Sequence, residues 1–484
     1  MKRTFRTLLL AIPLVFALSA CSDDSPGGGD GGEKGDATIR SLDLKSASYL
    51  TLGTGLSRSG DNADLLKIDE NGNVSTVKTV IIRDADGNDV EEQHEIQVRP
   101  YKIADLGEYL VLYDCIFFDM TAGYPVDMPA YDKMNTSKGS PKHFLVRKKD
   151  GRVFFIPDTE HKYIRDEADR LNAYGVDRNG TLLLCTPDSG TGLTRAEFSG
   201  DIVRFTPLSD VSQVTVDGRT DVVYGNNIWV LTDNTIILNE GMGSEQNYIY
   251  YPDGSFERFG TDRADNSDID HKMVGLSFTA GNLYAVRHVS KAPSNDSPCK
   301  ITVSLHKVTL GNTAGNISVS EPLSEITGKR GFTEELGDLP WLNKTVHTLW
   351  AYESSNNFIV AGSLVLDKSS LEFTPVPWEM YWEIFMLEPD ADSIYKGRIW
   401  RVDSQGASWL NPATLDYGRI TYNTGVAAQA ESCTATDIPQ GKAAFIIYSE
   451  NGTSYPLLIK NIETGDFVKG SPLTTSSSGV LLGL

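Results

Sequence analysis

Short runs of alternating apolar and polar residues, separated by tight turns, recur along the chain after residue 37. The run from Lys300 to Lys307 places three aliphatic side chains on one face and Thr302, Ser304 and His306 on the other. This two-residue period is that of a β-strand. Turns that combine Asp, Asn or Glu with Gly separate such runs at Asp69–Gly72, Asp150–Gly151, Asp177–Gly180, Asp253–Gly254, Asp403–Gly406 and Glu450–Gly452. Because Asp, Asn and Gly tolerate a left-handed backbone, these turns predict hairpins and an all-β protein.

Three segments share a longer pattern of strand, acidic glycine turn and second strand: Leu66–Val74, Tyr174–Leu182 and Tyr250–Phe256. Such hairpins resemble the outer strands of β-propeller blades. The turn glycines follow no regular period, but the length of the chain after residue 37 would hold about seven or eight blades with long loops. We therefore predict a single β-propeller over residues 38–484. A β-sandwich or a two-domain β protein would contain the same turns, and both stay open as alternatives.

One helix is predicted, from Thr159 to Ala173. Ile164, Ala168 and Leu171 fall there at the spacing of one helix face.

The N-terminus carries the features of an export signal. Lys2, Arg3 and Arg6 precede the apolar stretch Leu8–Leu18, and small residues then lead into Cys21. The stretch is shorter than the about 20 apolar residues that a permanent membrane helix needs. It resembles the bacterial lipoprotein signal, which implies removal of residues 1–20 and lipidation of Cys21 by fatty acids such as palmitate.

Residues 21–37 are acidic and rich in glycine, with no large apolar side chain. This composition predicts a flexible tether. Ser22-Asp23-Asp24 resembles the surface-export signal of Bacteroidota lipoproteins, which implies an anchor in the outer membrane and a protein on its extracellular face. A solvated linker and a periplasmic placement are the alternatives.

The charge of the chain limits its partners. The formal net charge is −21 at pH 7, which argues against nucleic acid as a ligand, because phosphate binding depends on clustered Lys and Arg. Anionic lipid would also repel the protein, so the acyl chain is predicted to be its membrane contact.

Four cysteines remain after Cys21. Cys115 and Cys185 lie in apolar runs and are predicted to be small buried residues within strands. Cys299 and Cys433 lie in polar sequence typical of loops, where an exported protein permits a disulfide between them.

No motif of a common enzyme class is present, and the seven histidines are too scattered to build a local zinc site. No cofactor is predicted apart from calcium. Two acidic segments have oxygen ligands suited to that ion, Asp84–Asp89 and the stretch Thr261–His271. The second contains four carboxylates as candidate ligands: Asp262, Asp265, Asp268 and Asp270. A solvated acidic loop, in keeping with the acidity of the whole chain, is the favoured alternative for both segments.

The segment Val376–Phe385 is the strongest candidate for ligand binding. As a strand or as a helix it places the indoles of Trp378 and Trp382 close together, beside carboxylates. Flat aromatic faces with acidic hydrogen-bond acceptors suit sugar rings. The candidate ligand-binding residues are Trp378, Glu379, Tyr381, Trp382 and Glu383; packing of the tryptophans between blades is the alternative. A second aromatic and acidic loop, Gly123–Asp132, is predicted to decorate a binding face.

Three functions follow from these features. The lipid anchor, the all-β body and the missing catalytic motifs favour a surface-exposed protein that binds glycan or protein. A carbohydrate-active hydrolase or lyase, using Glu379 and Glu383, is the enzymatic alternative. The turn Asn461–Phe467 resembles the Thr-Gly turns of the lipid-anchored propeller of outer-membrane assembly machinery, which implies a scaffold as the third possibility.

Overall fold

Strands make up nearly all of the regular structure in the computed structural model. The described residues are 38–53, 63–83, 89–90, 96–119, 124–125, 142–164, 173–185, 192–208, 213–216, 219–222, 227–239, 246–260, 270–279, 282–291, 299–330, 351–355, 358–361, 364–367, 373–375, 394–411, 413–426, 431–448, 453–473 and 477–484. Contacts divide the chain into two units, Met1–Gly35 and Asp36–Leu484, and every described residue belongs to the second. Across these ranges, no helix has the length and hydropathy needed to cross a membrane.

Four antiparallel sheets, numbered 1 to 4, occupy the first half of the second unit. Sheet 1 contains β2 (Ala47–Gly53), β3 (Asp64–Asp69), β4 (Val74–Thr76) and the last strand, β41 (Ser477–Gly483). Sheet 2 contains β8 (Lys102–Leu106), β9 (Tyr109–Tyr113), β12 (His143–Arg147) and β13 (Val153–Ile156). Sheet 3 contains β14 (Ala173–Val176), β15 (Leu182–Cys185), β16 (Leu193–Ser199) and β17 (Ile202–Pro207). Sheet 4 contains β20 (Asn227–Val230), β21 (Ile236–Asn239), β22 (Gln246–Tyr250) and β23 (Phe256–Gly260).

Sheets 5 to 8 follow in the same manner. Sheet 5 contains β24 (Asp270–Thr279), β25 (Asn282–Lys291) and β26 (Cys299–Leu310), with β27 (Ile317–Val319) and β28 (Ser324–Arg330) both paired to β26. Sheet 6 contains β29 (Ala351–Ser355), β30 (Phe358–Ala361), β31 (Leu364–Asp367) and β32 (Phe373–Pro375). Sheet 7 contains β33 (Ile394–Tyr395), β34 (Arg398–Asp403), β35 (Gly406–Leu410) and β36 (Tyr417–Thr421). Sheet 8 contains β37 (Glu431–Asp437), β38 (Lys442–Tyr448), β39 (Ser454–Asn461) and β40 (Asp466–Lys469).

Smaller elements lie between these sheets. They are the sheet of β1 (Thr38–Leu42), β5 (Thr79–Arg83) and β6 (Asp89–Val90), the sheet of β7 (Ile96–Arg99), β10 (Ile116–Asp119) and β11 (Tyr124–Pro125), the hairpin of β18 (Gln213–Val216) and β19 (Arg219–Val222), and the 3-10 helices Asp158–Tyr163 and Ile438–Gln440.

The strand order is that of a β-propeller. Within the described ranges, eight groups of antiparallel strands, sheets 1 to 8, follow one another in the chain, and a parallel pairing of β13 with β17 at Phe155 and Ile202 joins sheets 2 and 3 into one eight-stranded sheet. Strand β41 pairs with β2 and completes the first sheet. The first strands of neighbouring sheets contact one another in the order β37, β41, β8, β14, β20, and β24 contacts β29. Successive antiparallel sheets, with the first sheet completed by the last described strand, have the strand order of a β-propeller. The prediction of an all-β fold is confirmed.

The cores of the unit lie between adjacent sheets. Leu182 and Leu184 of β15 pack with sheet 2, whereas Leu183 and Cys185 of the same strand pack with sheet 4. Since successive side chains of a strand point to opposite faces, a strand buried between two neighbours must be apolar at every position. Each fully buried aliphatic side chain contributes about 1.5–3 kcal/mol. A one-residue register slip would exchange the two cores, so this pattern specifies the register.

The predicted hairpin turns are stabilised by the Asp side chains and Gly backbones from which they were predicted. The Oδ1 atom of Asp177 accepts hydrogen bonds from the backbone N–H groups of Asn179 (2.8 Å) and Thr181 (2.9 Å). Gly180 has a φ of 78°, in the left-handed region that favours glycine. At Gly465 (φ 74°) a side chain is also excluded, because a Cβ atom would lie 2.5 Å from the ring of Tyr422 in the neighbouring sheet. Residues 450–452 lie outside the described residues.

The predicted helix over Thr159–Ala173 is wrong in its described part. The chain forms a short 3-10 helix that ends at Tyr163, and Ala173 already opens strand β14. Ile164 is buried, which explains its apolar character without a helix. Residues 165–172, with Ala168 and Leu171, lie outside the described residues.

Two predictions on cysteine need correction. Cys299 opens β26 and Cys433 lies within β37, so neither is a loop residue; both belong to antiparallel ladders. Their disulfide stays a prediction. Cys115 and Cys185 are buried, as expected, but only Cys185 lies in a strand, since Cys115 falls between β9 and β10.

Candidate functional site

The two ends of the sheets carry connections of very different length. One end, here called the short-turn end, holds the links from first to second and from third to fourth strand, such as 107–108, 177–181, 200–201 and 462–465. The opposite end, called the long-connection end, holds the links from second to third strand and from sheet to sheet. Its connections include 114–142, 157–172, 208–226, 261–269, 331–350 and 376–393.

Most predicted site residues lie outside the described residues. Trp378, Glu379, Tyr381, Trp382 and Glu383 are in the connection 376–393, between β32 and β33. Their role in binding stays a prediction.

Three of the four predicted calcium ligands also lie outside the described residues. Asp262, Asp265 and Asp268 fall in the connection between β23 and β24, outside the described residues, and Asp270 opens β24. Asp89 is the first residue of β6, and the rest of the other acidic segment is not described. Among the residues that the structure describes, no group of His, Cys, Asp and Glu is arranged to hold a metal ion. Cys21 also lies outside them.

A cluster that the sequence did not reveal lies at the long-connection end of sheet 2. It is called the sheet 2 cluster and consists of Tyr101, Asp114, His143, Asp158 and His161. These residues come from the start of β8, the end of β9, the start of β12 and the 3-10 helix after β13. Antiparallel pairing of β9 with β12, and of β12 with β13, brings these strand ends together.

The two imidazoles of this cluster are in contact. The ring centroids of His143 and His161 are 3.9 Å apart, with an angle of 34° between the ring planes. The ring of Tyr113 meets His143 edge-on at 5.4 Å. The His143 side chain has 12% of its surface exposed, and the His161 side chain has 22%.

The backbone holds His143 in its neutral form. The N–H group of Asp114 donates a hydrogen bond to Nδ1 of His143 over 3.0 Å, so Nδ1 is an acceptor and carries no proton. Burial, and then the neighbouring His161, lower the pKa of His143 to about 3. The carboxylate Oδ1 of Asp114 is 3.4 Å from the same Nδ1 atom, but an unprotonated nitrogen forms no ion pair with it.

A main-chain carbonyl group holds the ring of His161. Its Nε2 atom lies 3.1 Å from the carbonyl oxygen of Ile156. A carbonyl only accepts, so Nε2 of His161 donates this hydrogen bond. The carboxylate Oδ1 of Asp158 is 3.8 Å from the same nitrogen. This oxygen is buried and has no hydrogen-bond partner among the described residues.

An exposed aromatic residue lies at the same edge of sheet 2. Tyr101 precedes β8, and 57% of its surface is exposed. Its backbone N–H donates a hydrogen bond to the carbonyl of Tyr113, the residue whose ring contacts His143. The main chain thus places Tyr101 at the same edge of sheet 2 as the two histidines.

The cluster combines two imidazoles, two carboxylates and an exposed ring, which suits recognition by hydrogen bonds and ring contact. The nearby thiol of Cys115 is unsuited to nucleophilic attack, because burial raises its pKa well above the usual value. Sequence reasoning missed the cluster because His143 and His161 follow no motif spacing. The polar residues at the ends of apolar runs, Asp114 after Tyr109–Tyr113 and His143 before Phe144–Val146, were the available signal.

A second histidine arrangement is fully internal. In β26, the Oγ atom of Ser304 lies 2.9 Å from Nε2 of His306, and Nδ1 of His306 lies 2.8 Å from the carbonyl oxygen of Ser320. His306 therefore donates from Nδ1 and accepts the Ser304 proton at Nε2. Although a serine beside a histidine suggests a nucleophile and its base, both residues are buried, and each nitrogen already has a structural partner.

Comparisons with known proteins give no family. No family model matches the chain, and no curated protein matches it. The chain has 10% identity to the extracellular domain of a protein assigned as a one-component system of B. thetaiotaomicron, over 90% of this chain and 79% of that one, with a TM-score of 0.18. It also has 10% identity to a protein assigned as a 6-phosphogluconolactonase from Bacteroides uniformis, over 68% and 95% of the two chains, with a TM-score of 0.25.

A post-proline cleaving enzyme from Rickettsia typhi is similar at the same level. The identity is 10%, the match covers 78% of this chain and 54% of that enzyme, and the TM-score is 0.30. Similarities this low assign no function.

Proposed function

We propose that this protein is a lipid-anchored binding protein of the cell envelope that captures glycan or protein at its long-connection end. The observation that carries the proposal is the asymmetry between the two ends of the sheets. Tight turns of a few residues close one end, whereas the other end carries every connection long enough to shape a ligand site. Binding residues are commonly found on loops that a rigid scaffold positions.

Two independent groups of candidate residues support the long-connection end as the binding site. The aromatic and acidic segment Val376–Phe385 belongs to one of its connections, and the sheet 2 cluster lies at the same end of sheet 2. The leader ending at Cys21 supports the anchor, and Ser22–Asp24 supports the outer face of the outer membrane.

Glycan arrays and pull-downs with the full lipidated chain test the binding role. We expect a ligand whose binding weakens at least about tenfold in Trp378→Ala and in Trp382→Ala, since buried aromatic anchors carry much of a binding energy. Tyr417→Ala is the matched control, because Tyr417 is exposed but starts β36 at the short-turn end. An equal loss of binding in the Tyr417→Ala control, or the absence of any ligand, would contradict the proposal.

The anchor is tested separately. Cys21→Ser should abolish incorporation of labelled palmitate and release the protein from the membrane fraction. Proteinase treatment of intact cells should remove the wild-type protein. Protection from the proteinase would place the protein on the periplasmic side.

A further inference from the structure

We infer that the His143–His161 pair is a binding site for a neutral ligand rich in hydroxyl groups, of the saccharide class. The inference rests on the proposed function and names the ligand class that binds at the long-connection end. It depends on which ring nitrogen carries the proton in each histidine, and main-chain groups decide this for both.

The backbone assigns one donor and one acceptor to the pair. Nδ1 of His143 is occupied by the N–H of Asp114, so the proton of the neutral ring is on Nε2. Nε2 of His161 is occupied by the carbonyl of Ile156, so in the neutral ring Nδ1 carries the lone pair. Neither remaining nitrogen has a partner among the described residues. Rings in contact at 3.9 Å thus offer one N–H donor and one acceptor.

A hydroxyl group is the complement of this arrangement, because each hydroxyl both donates and accepts. Two neighbouring hydroxyls of a sugar ring can therefore satisfy both nitrogens. Leaving such groups unpaired is costly, so a ligand that pairs them gains specificity.

The carboxylates beside the pair disfavour an anionic ligand, and the N–H donor of His143 disfavours a cationic one. Asp114 and Asp158 repel an anion, and neutral His143 supplies no positive charge against them. A cation such as an ammonium group has only donors, so the N–H of His143 would be left without an acceptor. A neutral polyol meets both requirements.

Two substitutions separate the ligand-facing nitrogen from the structural one. His143→Asn keeps an acceptor for the Asp114 N–H but removes the outer donor. His161→Gln keeps a donor for the Ile156 carbonyl but removes the outer acceptor. We expect each to weaken the binding of a neutral saccharide by about 3- to 10-fold, the effect of one neutral hydrogen bond. Tyr417→Ala should leave binding unchanged.

The probes are neutral gluco-, manno- and galacto-oligosaccharides, with oligogalacturonate as the anionic and chitosan oligomers as the cationic counterpart. Titration calorimetry of the full lipidated chain in detergent should show binding of at least one neutral series and weaker binding of both charged series. Equal binding of a charged series would overturn the inference, as would neutral binding unaffected by both histidine variants. If no saccharide binds but a protein ligand is captured through Trp378 or Trp382, the inference fails while the proposed function stands.

Discussion

His306 and the His143–His161 pair differ in how many ring nitrogens have a hydrogen-bond partner within the protein. His306 lies within β26, is 5% exposed, and has a partner at each ring nitrogen. His143 and His161 lie where strands of sheet 2 end, and in each ring the main chain occupies one nitrogen. A histidine inside a sheet must be satisfied by the protein itself, whereas one at a strand end can keep a nitrogen for a ligand. Position along the strand therefore separates a structural histidine from a candidate functional one.

The largest effect on stability is expected inside the sheet. His306→Phe leaves the Ser304 hydroxyl and the Ser320 carbonyl without a partner and adds volume to a packed core. We expect a loss of about 2–4 kcal/mol in the free energy of unfolding, measured by urea denaturation. Ligand binding by the folded fraction should stay unchanged. A loss under about 0.5 kcal/mol would remove the contrast between the two histidine sites.

An intermediate effect is expected from His143, and it depends on pH. The pKa of His143 is about 3 in the folded protein, whereas an unfolded histidine titrates near 6.5. Between these values the unfolded chain binds more protons, so stability falls as pH decreases from 6.5 towards 3. At pH 5 this amounts to about 2 kcal/mol relative to neutral pH.

His143→Phe should remove that part of the acid sensitivity. The measurement is the free energy of unfolding at pH 7 and pH 5 in wild type and variant. His306→Phe serves as the comparison, because its loss is expected at both pH values. If wild type and His143→Phe lose equal stability between pH 7 and pH 5, His143 is not held neutral by its surroundings.

The smallest effect on stability is expected at the exposed edge of the sheet 2 cluster. Tyr101→Ala should change the free energy of unfolding by less than about 0.5 kcal/mol, since exposed residues contribute little. A large loss of stability would instead indicate that Tyr101 supports the start of β8. Tyr417→Ala, at the short-turn end, should also change stability by less than about 0.5 kcal/mol.

Much of the fold could be predicted because its signals are local. The turn at Asp177–Gly180 depends on a side chain bonding to the backbone two and four residues later, and such contacts are written into adjacent residues. The run Leu182–Cys185 is apolar at every position, which indicates burial on both faces. The predicted helix over Thr159–Ala173 is wrong in its described part, where Ile164 is apolar because it is buried and not because it lies on a helix face.

The sheet 2 cluster had no local signal. Asp114 meets His143 only because β9 and β12 pair across the connection 114–142, and His161 arrives after a further strand. The pairing of β2 with β41 joins the two ends of the described chain and likewise depends on all the sheets between them. Cys299 and Cys433 carry polar neighbours typical of loops, yet the ladders of sheets 5 and 8 include them.

The sequence by itself determined that this protein is built from hairpins, because strand period and turn chemistry act within a few residues. The sequence also predicts a leader ending at Cys21, because that segment resembles a lipoprotein signal. Only the tertiary structure decided that β41 pairs with β2 and completes the first sheet. It also decided which histidine keeps a nitrogen for a ligand. The physical reason is distance along the chain: the partners of His143 and His161 are main-chain groups brought close by strand pairing, and no residue pattern encodes such contacts.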